Sequence, residues 1–153
     1  VHTVPSPADY AVVATLVDHE VAVATDDETL RSALSEQGRL DAASPERADI
    51  VHVCERANVD VRECKRGSLT EPSDGATVVY RVETVNSGRP DATTVTVSGP
   101  GVDGTATFSP SLPERELSAL TQAQSGYPRG IDAIFAGEDR LAAIPRSATV
   151  EVA

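Results

Sequence analysis

Apolar residues recur along the chain with two different periods, and the changes of period divide it into elements. Tyr10, Val13, Ala14 and Val17 repeat at i, i+3, i+4 and i+7, one face of a helix. Leu30, Ala33 and Leu34 predict a second helix, and Leu117 and Leu120 a third. Each follows a hydroxyl set three residues before a carboxylate: Ser6 before Asp9, Thr25 before Glu28, Ser111 before Glu114. A hydroxyl there is expected to cap a free helix N–H, and the acid suits the positive end of the helix dipole. Gly38 is placed to end the second helix, and Gly126 and Pro128 to end the third.

Between these segments the pattern shortens to β-branched runs. Residues 20–24, 49–54, 77–85 and 93–98 read as strands, the last two flanking a hairpin-like loop, Asn86-Ser87-Gly88-Arg89-Pro90. Residues 131–136 and 140–144, separated by Gly137-Glu138-Asp139, read as a tight hairpin that Pro145 stops. Residues 149–152 form one more strand, and residues 55–70 carry no clear period. Helices alternate with strands in the first half and strand pairs dominate the second, so the expected fold class is α/β, a mixed β-sheet flanked by helices.

Length and composition restrict the function. A chain of 153 residues fits one domain and buries enough surface to need no staple. Two cysteines exclude a disulfide-built scaffold. No basic stretch leading into an apolar run marks a signal peptide, and the short apolar runs span no membrane, so a cytoplasmic protein is expected. The net charge of −11 and the five aromatic residues argue against nucleic acid, which needs basic clusters and stacking rings. An acidic surface with one lysine against twelve arginines suits a halophilic, high-salt cytoplasm. The charge is uneven: residues 1–60 hold twelve acids and four arginines, net −8, and residues 61–153 hold twelve acids and nine basic residues, net −3. Anion handling is therefore expected in the second half.

Few residues suggest chemistry. Gly99-Pro100-Gly101-Val102-Asp103-Gly104 spells a dinucleotide fingerprint, but the following Thr105-Ala106-Thr107-Phe108 does not start a helix, so it reads as a glycine-rich turn. His2, His19 and His52 show no metal-ligand spacing, and Cys54 and Cys64 read as ordinary buried thiols, so neither a metal nor a catalytic set is assigned. Lys65, the only candidate for a pyridoxal Schiff base, lies in a charged segment and reads as a loop lysine. Most distinctive is Tyr127-Pro128-Arg129-Gly130-Ile131-Asp132 leading into a strand, with Ala143-Ile144-Pro145-Arg146-Ser147 leaving one. Arg129 and Arg146 are candidates to grip phosphonate or phosphate oxygens. The competing assignment pairs one of them with Asp132 or Glu151 and locks the fold or an interface.

At Pro128-Arg129-Gly130-Ile131-Asp132, Arg140-Leu141, Ala143-Ile144-Pro145-Arg146 and Val150-Glu151-Val152 the sequence resembles the PhnH family of the bacterial carbon–phosphorus lyase system. Weaker agreement covers Gly67-Ser68, Pro72, Gly75-Ala76-Thr77 and residues 98–102. The resemblance implies a reduced pyridoxal-phosphate-transferase-like fold without the cofactor site, hence no cofactor. It implies a homodimer that joins PhnG, PhnI and PhnJ. It also implies a non-catalytic part in forming ribose 1-phosphonate 5-triphosphate from ATP and a phosphonate; a stand-alone binder or transferase of phosphorylated small molecules is the alternative. Members carry a few dozen further residues upstream, so residues 1–153 are expected to be one PhnH-like domain lacking an N-terminal segment. Arg129, Asp132 and Arg146 become the anion-binding or interface candidates.

Overall fold

The computed structural model describes residues 8–17, 21–38, 41–54, 59–71, 74–88, 90, 92–100, 102–124, 129–138 and 140–152. Its elements are α1 (Ala8–Leu16), β1 (Val23–Thr25), α2 (Glu28–Glu36), β2 (Ile50–Val53), a 3-10 turn (Val61–Glu63), β3 (Thr77–Arg81), β4 (Val95–Ser98), β5 (Thr105–Phe108), α3 (Glu114–Gln124), β6 (Asp132–Ala136), β7 (Leu141–Ile144) and β8 (Thr149–Val152). The fold is α/β. Five strands form one sheet in the order β1-β2-β3-β6-β7, and three form a second in the order β5-β4-β8. The first four strands of the large sheet run parallel, and β7 returns antiparallel to β6 as the sequence pattern predicts.

Strand alternation sends residues to two separate cores. Val23, Ile50 and Val79 pack with Val13 and Val17 of α1 and Leu30 and Leu34 of α2 on one face. Val51, Val53, Val78, Tyr80, Ala133 and Phe135 face the other way, onto Leu117, Leu120 and Ala123 of α3 and Val95 and Val97 of the small sheet. Tyr80 and Phe135 stack with ring centroids 5.2 Å apart at the centre of that second core. Parallel strands buried on both faces need near-continuous apolar runs, which is what β2 and β3 carry.

Several local expectations change. Residues 77–85 and 93–98 do not pair across a hairpin: β3 lies between β2 and β6, while β4 pairs with β5 and β8 in the other sheet. β-Branched composition marks a strand without naming its partner, and a short polar loop between two runs fits a change of sheet equally well. As expected, no helix follows Gly104; the strand β5 that does follow was not anticipated. Two caps also differ. Asp27, not Thr25, caps α2, accepting from the backbone N–H groups of Thr29 and Leu30. Ser111 does not cap α3; its hydroxyl accepts from Thr84 N–H at 3.0 Å and ties that loop down. Gly38 takes φ +67° just past α2, the left-handed stop expected of it. Ser6, Gly126 and Pro128 lie outside the described residues.

Candidate functional site

The N-termini of α1 and α2 both meet the C-terminal ends of the parallel strands, the edge where open α/β sheets gather polar groups. His52, on the last turn of the pleat of β2, is the centre. Its Nδ1 lies 2.7 Å from the Thr25 hydroxyl on the neighbouring strand β1, and its Nε2 lies 2.6 Å from Asp9 Oδ2 on α1. Register explains the first contact, because Thr25 and His52 are Cα partners. The Thr25 hydroxyl also accepts the Asp27 N–H at 3.1 Å. A proton on Nε2 satisfies both ring nitrogens: Thr25 O–H donates to Nδ1, and Nε2–H donates to Asp9 Oδ2. Thr25, His52 and Asp9 thus stand in the order hydroxyl, base, carboxylate, with all three buried.

Arg81, at the end of β3, closes the cluster. Its Nε donates to Asp9 Oδ2 at 2.8 Å, its Nη2 donates to Asp27, and its guanidinium lies 5.2 Å over the Tyr10 ring. Tyr10 in turn donates its hydroxyl proton to Asp27. Burial alone would raise Asp9, but hydrogen bonds from His52 and Arg81 outweigh it and hold the carboxyl below its ordinary value. Burial is likewise overcome at Asp27, where Tyr10, Arg81 and the Leu30 N–H bring the pKa to about 2. Arg81 is desolvated too, yet Asp27 and Asp9 push its pKa up and keep it charged.

Beside this network Cys54 donates its thiol proton to Asp26 Oδ1 at 2.7 Å. Burial, then the Asp26 carboxylate, push the Cys54 thiol up to about 12, so it is no free nucleophile. One ligand atom each from Asp26, His52 and Cys54 lies within 4.8 Å of the others. A cavity of about 190 Å³ opens alongside, lined by Thr25, Asp26, Arg31 and His52 among others. Sequence reading missed this grouping because it sought ligands at helical or loop spacing. The signal present was His-x-Cys at a strand end, since i and i+2 share a strand face, next to an Asp-Asp pair ending the neighbouring strand. His2 and His19 lie outside the described residues. Cys64 is a buried thiol whose pKa burial lifts to about 11.

The residues singled out by sequence lie at the opposite edge of the same sheet. Asp132 is the first residue of β6, and Arg146 follows β7. The Arg146 Nη2 donates to Asp132 Oδ2 at 2.9 Å and its backbone N–H donates to Asp132 Oδ1 at 2.8 Å. Gly75 makes room for this: a Cβ there would lie 2.2 Å from the Gly130 carbonyl oxygen and 2.7 Å from Arg146 Nη1. Arg129 is exposed just before β6. Lys65 belongs to this edge too, its ammonium held between Asp49 and Asp74. Burial would lower Lys65, but those two hydrogen bonds raise it above its ordinary value. A lysine so held is a charged strut between two segments.

No helix among the described residues is long and apolar enough to cross a membrane. No curated protein matches the sequence. The family of bacterial phosphonate metabolism proteins, PhnH, matches residues 2–151. That match spans nearly all 153 residues and both edges of the sheet, so the chain belongs to the PhnH family and has a role in phosphonate metabolism.

Proposed function

We propose that this chain is a non-catalytic subunit of the carbon–phosphorus lyase complex. In this reading it dimerises, joins PhnG, PhnI and PhnJ in the cytoplasm, and supports the formation of ribose 1-phosphonate 5-triphosphate from ATP and a phosphonate. The family match over residues 2–151 carries the reading. The way the polar groups are used supports it. The Thr25 hydroxyl, both His52 nitrogens and the Lys65 ammonium are each engaged by neighbours, the arrangement of a scaffold more than of a poised reaction centre. Arg129, exposed three residues before Asp132, is assigned to the partner surface.

Co-expression with PhnG, PhnI and PhnJ at high salt tests this directly. The chain is expected to co-elute with them, and Arg129→Glu to weaken the association. A chain that elutes alone while the other three assemble would overturn the assignment.

A further inference from the structure

We propose that Asp26, His52 and Cys54 form a binding site for one divalent ion of the zinc class. Four observations converge on it. Donor atoms of three different kinds, carboxylate oxygen, imidazole nitrogen and thiol sulfur, come within 4.8 Å of one another from the ends of two adjacent strands. Asp26 Oδ2 is buried and has no hydrogen-bond partner among the described residues, so one carboxylate oxygen has given up water and received nothing. The ring nitrogen that a ligating histidine does not use is normally held by a carboxylate, a backbone carbonyl or water. Asp9, fully buried, already holds Nε2 at 2.6 Å. Asp9 Oδ1 is itself a second buried, unpartnered oxygen. Finally, Asp26 and His52 both line the cavity of about 190 Å³.

The exchange balances. The ion takes the place of the Cys54 proton, now shared with Asp26 Oδ1, and that proton leaves to solvent. His52 gives its Nδ1 lone pair to the ion, and the Thr25 hydroxyl, a neutral partner, turns from Nδ1. A thiolate sulfur with an imidazole and one carboxylate favours zinc over magnesium or calcium, which prefer all-oxygen sets. Three protein ligands leave a fourth position for water or an incoming ligand. The bound ion would tie the end of β1, the start of α2 and the end of β2 into one unit.

Titration of the full chain with Co²⁺, read by absorption, tests the site. One ion per chain is expected, with a near-ultraviolet thiolate-to-cobalt band that Zn²⁺ abolishes by displacement. Cys54→Ser is expected to remove the band, and Asp26→Asn to weaken binding. Asp9→Asn is expected to lower affinity about 10- to 100-fold through loss of the orienting carboxylate. Circular dichroism on each variant, with Zn²⁺ calorimetry on the wild type, separates loss of the site from loss of the fold. No uptake by the wild type would overturn the proposal. So would a thiolate band that survives Cys54→Ser, or an affinity unchanged in folded Asp26→Asn.

Discussion

The two ends of the parallel strands solve the same problem differently. At the N-terminal edge, Lys65 bridges Asp49 and Asp74, and Arg146 grips Asp132, with side-chain exposures from 15% to 66%. At the C-terminal edge, Asp9 and His52 are fully buried and Arg81 seals them from above. Exposed pairs contribute about 0–1 kcal/mol because water competes for both partners. A buried pair has lost that competition, so removing one member strands the other at a cost of about 3–5 kcal/mol. The stability invested in polar contacts is therefore concentrated at one edge, in a cluster assembled from four separate segments of the chain.

The most severe test of that contrast is Asp9→Ala. It removes the acceptor of both His52 and Arg81, and a loss of about 4 kcal/mol in urea unfolding is expected. A loss under about 1 kcal/mol would show that the buried cluster is no stronger than its exposed counterpart. Gly75→Ala is the largest expected effect at the other edge, and it acts through sterics instead of charge. Its Cβ meets a backbone carbonyl that cannot swing aside, so overpacking of up to about 3 kcal/mol is expected. A variant as stable as the wild type would show that the Gly75 and Gly130 segments can move apart.

These two edges were unequally legible in the sequence. The three helices, most of the strands and the β6–β7 hairpin followed from periodicity, because burial writes period directly into side-chain type; β5, which is mostly exposed, and the division into two sheets did not. The Asp132–Arg146 pair was within reach because its members flank a local hairpin, and proline and glycine punctuate both. The His52 cluster was not. Asp9, Thr25, Asp27, His52 and Arg81 are 72 residues apart at the extremes and adjacent only through parallel register. Parallel neighbours are set by crossover connections that leave no local mark, which is also why β3 and β4 were wrongly expected to pair. The caps failed for a related reason: Thr25 and Ser111 have the right side chains for capping, but tertiary partners, His52 and Thr84, claim their hydroxyls.

Titration separates the edges by a smaller amount. Asp27 falls from an ordinary 3.8 to about 2 in the folded chain, so it binds protons less well there than when unfolded. A depressed folded pKa stabilises the protein above the unfolded value and loses that contribution as pH falls through the folded one. Stability should thus decline between about pH 4 and pH 2, by about 2 kcal/mol from this group. Asp27→Asn keeps a side-chain oxygen for capping α2 but cannot ionise, and should flatten that decline in acid-unfolding curves. An unchanged acid slope would mean that Arg81 contributes as much to Asp27 in the unfolded chain as in the folded one.

The smallest effect is expected at the residues the sequence made most conspicuous. Arg146→Ala removes two side-chain contacts to Asp132, but alanine retains the backbone N–H that donates to Asp132 Oδ1 at 2.8 Å. Asp132 is about a third exposed and recovers water on the other oxygen. The net loss should be about 1 kcal/mol or less, read by the shift of the urea midpoint. A loss near that of Asp9→Ala would mean that Arg146 works as a buried lock and that the two edges are equivalent after all. Arg129→Ala should leave stability unchanged, because its side chain is exposed, so any weakening of association with the other subunits in that variant reports the surface itself and not the fold.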